Sequence, residues 1–335
     1  MGNEKTNTYF YINIYKYWEM SKILLTGASG FIGRNLYRLL LSKKFDVIPT
    51  SSREINKSGW VLFNLNNVQS NLTEYFESVD VVIHTAARVH VMQDLSIDPL
   101  LEFRKANTLG TINIARQAAI AGVKRFIYIS SIKVNGEVAS VDAPFTETDE
   151  PSPNEPYSIS KYEAECGLFS IASETGMEVV IIRPPLVYGP GVKANFLNMM
   201  KWLNKGIPLP LGSIHNKRSL VALDNLVDLI LTCIDHPAAA NQVFLVSDGE
   251  DLSTTELLNR VAISLGEKPR LLPINQQLLE LSLSLIGKKS LAQRLCGSLQ
   301  VDISKAKKLL NWTPPVSVDE GLRKTARHFL ESQSK

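Results

Sequence analysis

Short apolar runs alternate with stretches of helical period along the first half of the chain. KILLTG (Lys22–Gly27) reads as a strand, and a helix from about Gly33 to Ser42, the run DVIPT, a short WVLFNL and DVVIHTAA follow it. A helix around Asn107–Ala121, the run RFIYISS, a helix after Pro156 and the run EVVIIRPP continue the rhythm. Strands that are apolar throughout, and not only on alternate residues, are buried on both faces, and the intervening helices supply the cover. The pattern predicts an α/β fold, a doubly wound parallel sheet that receives ligands at the carboxyl ends of its strands. After about Pro185 the alternation weakens. Gly, Pro and Asn punctuate VYGPGVKANF and NKGIPLPLGS before NQVFLVSD, STTELLNRVAISLG and a closing DISKAKKLLNWTPPVSVDEGLRKTARHF. The expected division is a first domain over 20–185 and a smaller lobe over 186–335, interleaved with the sheet.

Composition narrows the classes. The 335 residues are 44% apolar and 21% charged, with a net charge of +3 and no dominant basic block, so a nucleic-acid-binding face is not indicated. Cys166, Cys233 and Cys296 are far apart and form no CxxC pair, which suits thiols in a reducing cytoplasm better than a disulfide framework or a zinc site. His84, His90, His215, His236 and His328 lack metal-ligand spacing, and no metal is assigned. The longest candidate for a membrane span, LLELSLSLIGKK, is cut short by Glu280, serines and two lysines. It reads as a buried or interfacial helix in a soluble protein, far from the roughly 20 apolar residues a spanning helix needs. Residues 1–19 are aromatic-rich but too polar for a signal peptide, and are expected to form a loosely attached, disordered extension.

Two motifs carry chemistry. TGASGFIG places Gly27, Gly30 and Gly33 after the first strand and at the opening of a helix. Glycines there permit a tight turn and a close backbone approach to a pyrophosphate, and the helix N-terminus offers unpaired N–H groups. PYSISKYEAE carries Tyr157 and Lys161 one helical turn apart, on one face. A phenol titrates near pH 10, too high for a base at neutral pH, and an adjacent ammonium would lower it toward the working range. Ahead of this pair, FIYISSIKVNG ends a strand in Ser130 and Ser131, hydroxyls able to hold a substrate oxygen.

Glycine loop, strand-end serine and Tyr-x-x-x-Lys, in this order, resemble the extended short-chain dehydrogenase/reductases, the NAD-dependent epimerase/dehydratase family, from about Met20 to the C-terminus. The resemblance implies a Rossmann dinucleotide-binding domain, a substrate-binding C-terminal lobe and an enzyme that is a cytoplasmic homodimer. It makes Ser131 the catalytic hydroxyl, Tyr157 the acid/base and Lys161 the group that tunes it and orients the nicotinamide ribose. The dinucleotide would be lined by Gly27, Gly30, Phe31, Ile32, Gly33, Ser52, Arg53, Asn64, Leu65, Ala86, Ala87, Asn107, Tyr157, Lys161 and Pro184. The C-terminal half resembles the nucleotide-sugar branch: RPPLVYGPG follows that branch's path into the sugar site. Ser131, Asn195, Phe196 and Arg218 would contact the substrate, Arg218 as a phosphate-binding fork.

Departures from the family pattern order the reactions. Dehydratases carry Asp-Glu after the catalytic hydroxyl residue, but Ile132 and Lys133 stand here, leaving reduction of a 4-keto sugar or C4 epimerisation. In VIPTSSRE, Arg53 falls about 20 residues past the glycine loop, where an acidic residue would hold the 2′-hydroxyl of NAD. Arg53 with Ser51 and Ser52 suits a 2′-phosphate, so NADP(H) is expected ahead of NAD(H). That ranks reduction first, and SSIKVNG with PYSISKYEAE resembles surface-polysaccharide (O-antigen) members of the family, which implies a UDP-4-keto-6-deoxy-N-acetylhexosamine as substrate. A UDP-hexose or UDP-N-acetylhexosamine 4-epimerase with bound NAD is the alternative, and a non-catalytic cofactor-binding scaffold or redox sensor is the alternative of another class. Asn135, in place of the tyrosine of V-Y-G, departs from an ordinary galactose epimerase.

Overall fold

The computed structural model describes residues 21–67, 71–89, 97–139 and 143–333. The extension over 1–19 lies outside the described residues. Strands β1 (Lys22–Thr26), β2 (Asp46–Ser51), β3 (Val61–Leu62), β4 (Val81–His84), β5 (Arg125–Ile129), β6 (Glu178–Arg183) and β9 (Gln242–Leu245) form a seven-stranded sheet in the order β3-β2-β1-β4-β5-β6-β9. β1 pairs in parallel with β2 and β4, β2 with β3, and β4 with β5. β1, β4 and β5 are buried along almost their whole length, as runs without polar alternation require. Pro49 sits in β2, and the β3 pairing begins only at the next residue, Thr50, beyond the position that lacks an N–H.

The order 3-2-1-4-5-6 is that of the dinucleotide-binding sheet, and its direction reverses between β1 and β4. Helices α1 (Phe31–Ser42), α2 (Pro99–Phe103), α3 (Thr111–Ile120) and α4 (Pro156–Thr175) cover this sheet, with a π-helical stretch, Arg104–Gly110, joining α2 to α3. The expected helix around Asn107–Ala121 is therefore a wide turn running into a regular helix.

The chain forms two compact units, each built from three segments. The first is Met1–Ser130, Glu155–Ile181 and Cys233–Gln242; the second is Ser131–Asn154, Ile182–Thr232 and Val243–Lys335. The second unit holds β7 (Leu186–Tyr188), β8 (Arg218–Ala222) and β10 (Asp251–Leu252) in a small sheet of order β10-β8-β7. Helices α5 (Ala194–Asn204), α6 (Leu223–Thr232), α7 (Thr254–Ser264), α8 (Gln276–Leu285), α9 (Lys289–Cys296), α10 (Ser304–Leu310) and α11 (Val318–Gln333) complete it. Its core is pinned by Asp248. That carboxylate accepts from Tyr188 Oη at 2.7 Å, Asn225 Nδ2 at 2.6 Å and the Ala222 amide at 2.7 Å, while burial pushes its pKa up.

Candidate active site

In the first unit the glycine turn follows β1. Gly27 has φ +69°, and a Cβ there would lie 2.7 Å from the Ala86 amide nitrogen. A Cβ on Gly33 would lie 2.2 Å from the Gly27 carbonyl oxygen. The turn, the first turn of α1 and the loop after β4 are thus packed backbone on backbone. Gly30, Phe31 and Ile32 open α1, with Gly30 as its N-cap. Ser29 Oγ and Ser51 Oγ are 3.0 Å apart, which ties the turn to the end of β2. Ser52 and Arg53 lie just beyond and are exposed, and the Arg53 amide donates to Ser51 Oγ at 3.2 Å. Asn64 Oδ1 accepts from the Asn66 amide at 3.0 Å, and Leu65 is buried against Gly110.

Asn107 acts as a bracket. Its Oδ1 accepts from the Arg88 amide at 2.8 Å, and its Nδ2 donates to the Arg88 carbonyl at 3.1 Å and to Ser160 Oγ at 3.1 Å. One buried side chain therefore fixes the loop carrying Ala86 and Ala87 to α4. The π-helical turn aims it there by displacing its register from that of a regular helix.

Tyr157 and Lys161 occupy the first turns of α4, which starts at Pro156 behind Glu155, whose side chain and Ser158 form a capping box. The Tyr157 ring meets Phe103 edge-on at 6.0 Å. Lys161 is buried; its Nζ donates to the Ile129 carbonyl at 2.7 Å and lies 4.2 Å from the centre of the Tyr128 ring. Burial lowers its pKa to about 7, against a smaller opposing pull from Glu165. Glu165 accepts from Ser130 Oγ at 2.5 Å, so the first strand-end serine is committed to α4.

Register explains what lies beneath. Thr26, His84 and Tyr128 face one another across β1, β4 and β5. Thr26 Oγ1 and His84 Nδ1 are 2.7 Å apart, His84 Nε2 and Thr111 Oγ1 are 3.0 Å apart, and the His84 and Tyr128 rings stack at 5.7 Å. Burial, and then Lys161, lowers His84 to about 3, so it is neutral near pH 7. Sequence reading missed His84 and the Ser29–Ser51 contact, although His84 stands two residues before Ala86.

In the second unit, Ser131 Oγ accepts from the Lys133 amide at 3.3 Å, which leaves the hydroxyl proton for another acceptor. The Pro184 carbonyl accepts from the Ile132 amide at 3.0 Å. Asn135 accepts from Arg183 Nη1 at 2.9 Å and donates to the Thr146 carbonyl at 2.9 Å. Asn195 is exposed at the start of α5. Phe196 is buried and stacked on Tyr188 at 5.6 Å. Arg218 Nη1 donates to the Arg294 and Gly297 carbonyls at 3.2 and 3.0 Å, and burial lowers its pKa. Next to it, His215, Lys217, Asp251, Thr255 and Gln300 line an open concavity of about 640 Å³.

A parallel sheet of order 3-2-1-4-5-6 with a glycine turn at its reversal defines a dinucleotide-binding protein, and Tyr157 with Lys161 on α4 adds proton-transfer chemistry. The profile of the NAD dependent epimerase/dehydratase family matches residues 23–247. The chain belongs to that family and is an NAD(P)-dependent enzyme of the short-chain dehydrogenase/reductase type. A UDP-glucose 4-epimerase of Vibrio cholerae is 49% identical over 318 residues, 93% of this chain and 97% of the relative. The solved UDP-glucose 4-epimerase of Thermotoga maritima, with UDP-glucose, is 25% identical with a TM-score of 0.74 over 93% of this chain and 99% of that one. A UDP-glucuronic acid 4-epimerase of Bacillus cereus in complex with NAD shares the fold, at 20% identity and a TM-score of 0.75 over 93% of this chain. Among the described residues, no helix is long and apolar enough to cross a membrane, and no cluster of His, Cys, Asp and Glu could hold a metal ion.

Proposed function

We propose that the protein interconverts a UDP-hexose and its C4 epimer, with UDP-glucose and UDP-galactose as the first pair to test. The observation that carries this reading is the 49% identity to a UDP-glucose 4-epimerase across 93% of the chain, joined to an intact Ser131, Tyr157 and Lys161. It places epimerisation ahead of the 4-keto reduction expected from Arg53. The turn of Gly27, Gly30 and Gly33 suits the pyrophosphate of a nicotinamide dinucleotide, because it opens α1 at its N-terminus, and a Cβ at Gly27 or Gly33 would clash with the Ala86 amide or the Gly27 carbonyl and shift that turn. When bound, the dinucleotide supplies reversible removal and return of hydride at C4.

The chain's own residues manage the proton and the orientation. Tyr157 takes the proton of the sugar 4-hydroxyl and later returns it, and Ser131 donates a hydrogen bond to the same oxygen. Lys161 modulates the phenol by changing its own charge near neutrality. Asn195, Phe196 and Arg218 hold the nucleotide. Three unpaired thiols suit a reducing cytoplasm. Exposed Leu109 and Ile120, along the π-helical turn and α3, support a homodimer built on that face.

The test uses the purified protein without added cofactor, incubated with UDP-glucose and followed by NMR. UDP-galactose is expected to appear, and Tyr157→Phe should lower kcat by about 10²–10⁴-fold. No interconversion, together with NADPH oxidation driven by a UDP-4-keto-6-deoxy sugar, would restore the reductase reading, which the exposed, non-acidic Arg53 favours.

A further inference from the structure

Helix α8 is apolar on two opposite sides. Leu279 is buried and Leu283 half-buried toward the unit, whereas Leu278, Leu281 and Leu285, at spacings of three and four, are 63%, 58% and 79% exposed. Ile286 follows at 63% exposed, and Leu291 on α9 is also exposed. A second apolar stripe left in water on a helix whose first stripe is already packed marks a surface for a partner or a lipid boundary. The turn after it carries Lys288 and Lys289, both exposed, and Arg294 is exposed on α9. Between Leu271 and Gly297 the sequence contains one acid, Glu280. It is half-buried, accepts from Gln276 Nε2 at 2.9 Å and lies beside Cys296, whose thiol pKa it helps burial to raise.

We propose that the α8–α9 hairpin is a membrane-surface docking site, with Leu278, Leu281, Leu285 and Ile286 entering the headgroup boundary of an anionic bilayer and Lys288 and Lys289 meeting its phosphates. Charge selects this occupant. A second copy of the chain seated on the same face by two-fold symmetry would bring two lysine pairs together with no exposed acid on the hairpin to meet them. An anionic lipid surface supplies the missing charge, and lysine stems can lie along the apolar boundary while their heads reach the phosphates. The proposal is independent of which sugar is epimerised.

The full chain would be centrifuged with vesicles of phosphatidylcholine alone and of phosphatidylcholine mixed with phosphatidylglycerol. It is expected to pellet with the mixed vesicles and to be released as salt rises. Replacing Lys288 and Lys289 by Ala should weaken that partition about 25-fold, at roughly fivefold per lysine near an anionic surface. Leu281→Ser with Leu285→Ser should abolish it at an unchanged melting curve. Retention of the wild-type protein in the supernatant with mixed vesicles overturns the proposal, as does binding indifferent to the lysines. A dimer in solution that Leu285→Ser splits would also overturn it and assign the face to a second copy.

Discussion

Lys161 is held near the balance point of its two protonation states. Its folded pKa of about 7 stands against an ordinary 10.5, so between those values the unfolded chain binds a proton that the folded chain does not. Stability therefore rises with pH across that window, and below about pH 7 the burial cost is felt in full. Lys161→Met removes the titration and should flatten the rise in urea midpoint between about pH 7 and 10 relative to the wild type. Equal slopes would mean that the buried ammonium stays charged. Neighbouring groups bear on the same point. His84 is neutral throughout this range and adds no charge, so Glu165, one turn along α4, is the group that opposes the shift.

At the scale of elements, the junction of β1 and α1 depends on what glycine leaves out. Gly33→Ala would push a methyl group into the Gly27 carbonyl, which is backbone, and within 2.8 Å of Thr85 Oγ1, which is held by its hydrogen bond to the Thr26 carbonyl at 2.7 Å. We expect a loss of about 1–3 kcal/mol or more from overpacking, read as a lower melting temperature, and weaker dinucleotide binding. Arg38→Ala, on the exposed side of the same helix, should stay within about 0.5 kcal/mol of the wild type. Similar melting curves for the two variants would refute this account of the junction.

Elements of this kind were legible in the sequence because their signal is local. Periodicity placed the strands, glycine spacing placed the turn, and Tyr-x-x-x-Lys placed the pair on one helix face. What stayed hidden depends on register and on contacts between distant segments. Thr26, His84 and Tyr128 meet only because three strands align. The partners of Asn107 are 19 and 53 residues away, and Arg218 finds its carbonyls 76 and 79 residues on. LLELSLSLIGKK was legible as a buried or interfacial helix; which of its leucines face outward, and the helix α9 that follows it, were not.

For the molecule as a whole, the first unit needs a segment that the sequence delivers late. Arg125 is buried, and its Nη1 donates to the Cys233 and His236 carbonyls at 2.8 and 3.1 Å, while the Val179 amide donates to Asn241 Oδ1 at 3.0 Å. A fragment of residues 20–185 lacks all three acceptors, and the loss of the buried bond to the Cys233 carbonyl alone costs about 1–3 kcal/mol. That fragment should show no cooperative melt by circular dichroism, and appending residues 233–242 through a flexible bridge should restore one. A cooperative melt of 20–185 alone would show the late segment to be dispensable.

The same three-part threading sets an order of events in the cell. A nascent chain that has emerged as far as Ile181 still lacks the two carbonyl acceptors for Arg125 Nη1, and the ribosome must first add Ile182–Thr232, which belongs to the other unit. At ~5–20 residues per second this detour lasts seconds, long compared with the microseconds in which hairpins and helices form. Through that interval Arg125 can pair with Glu178 but its Nη1 lacks both late carbonyls, which makes it a natural point of chaperone engagement during synthesis.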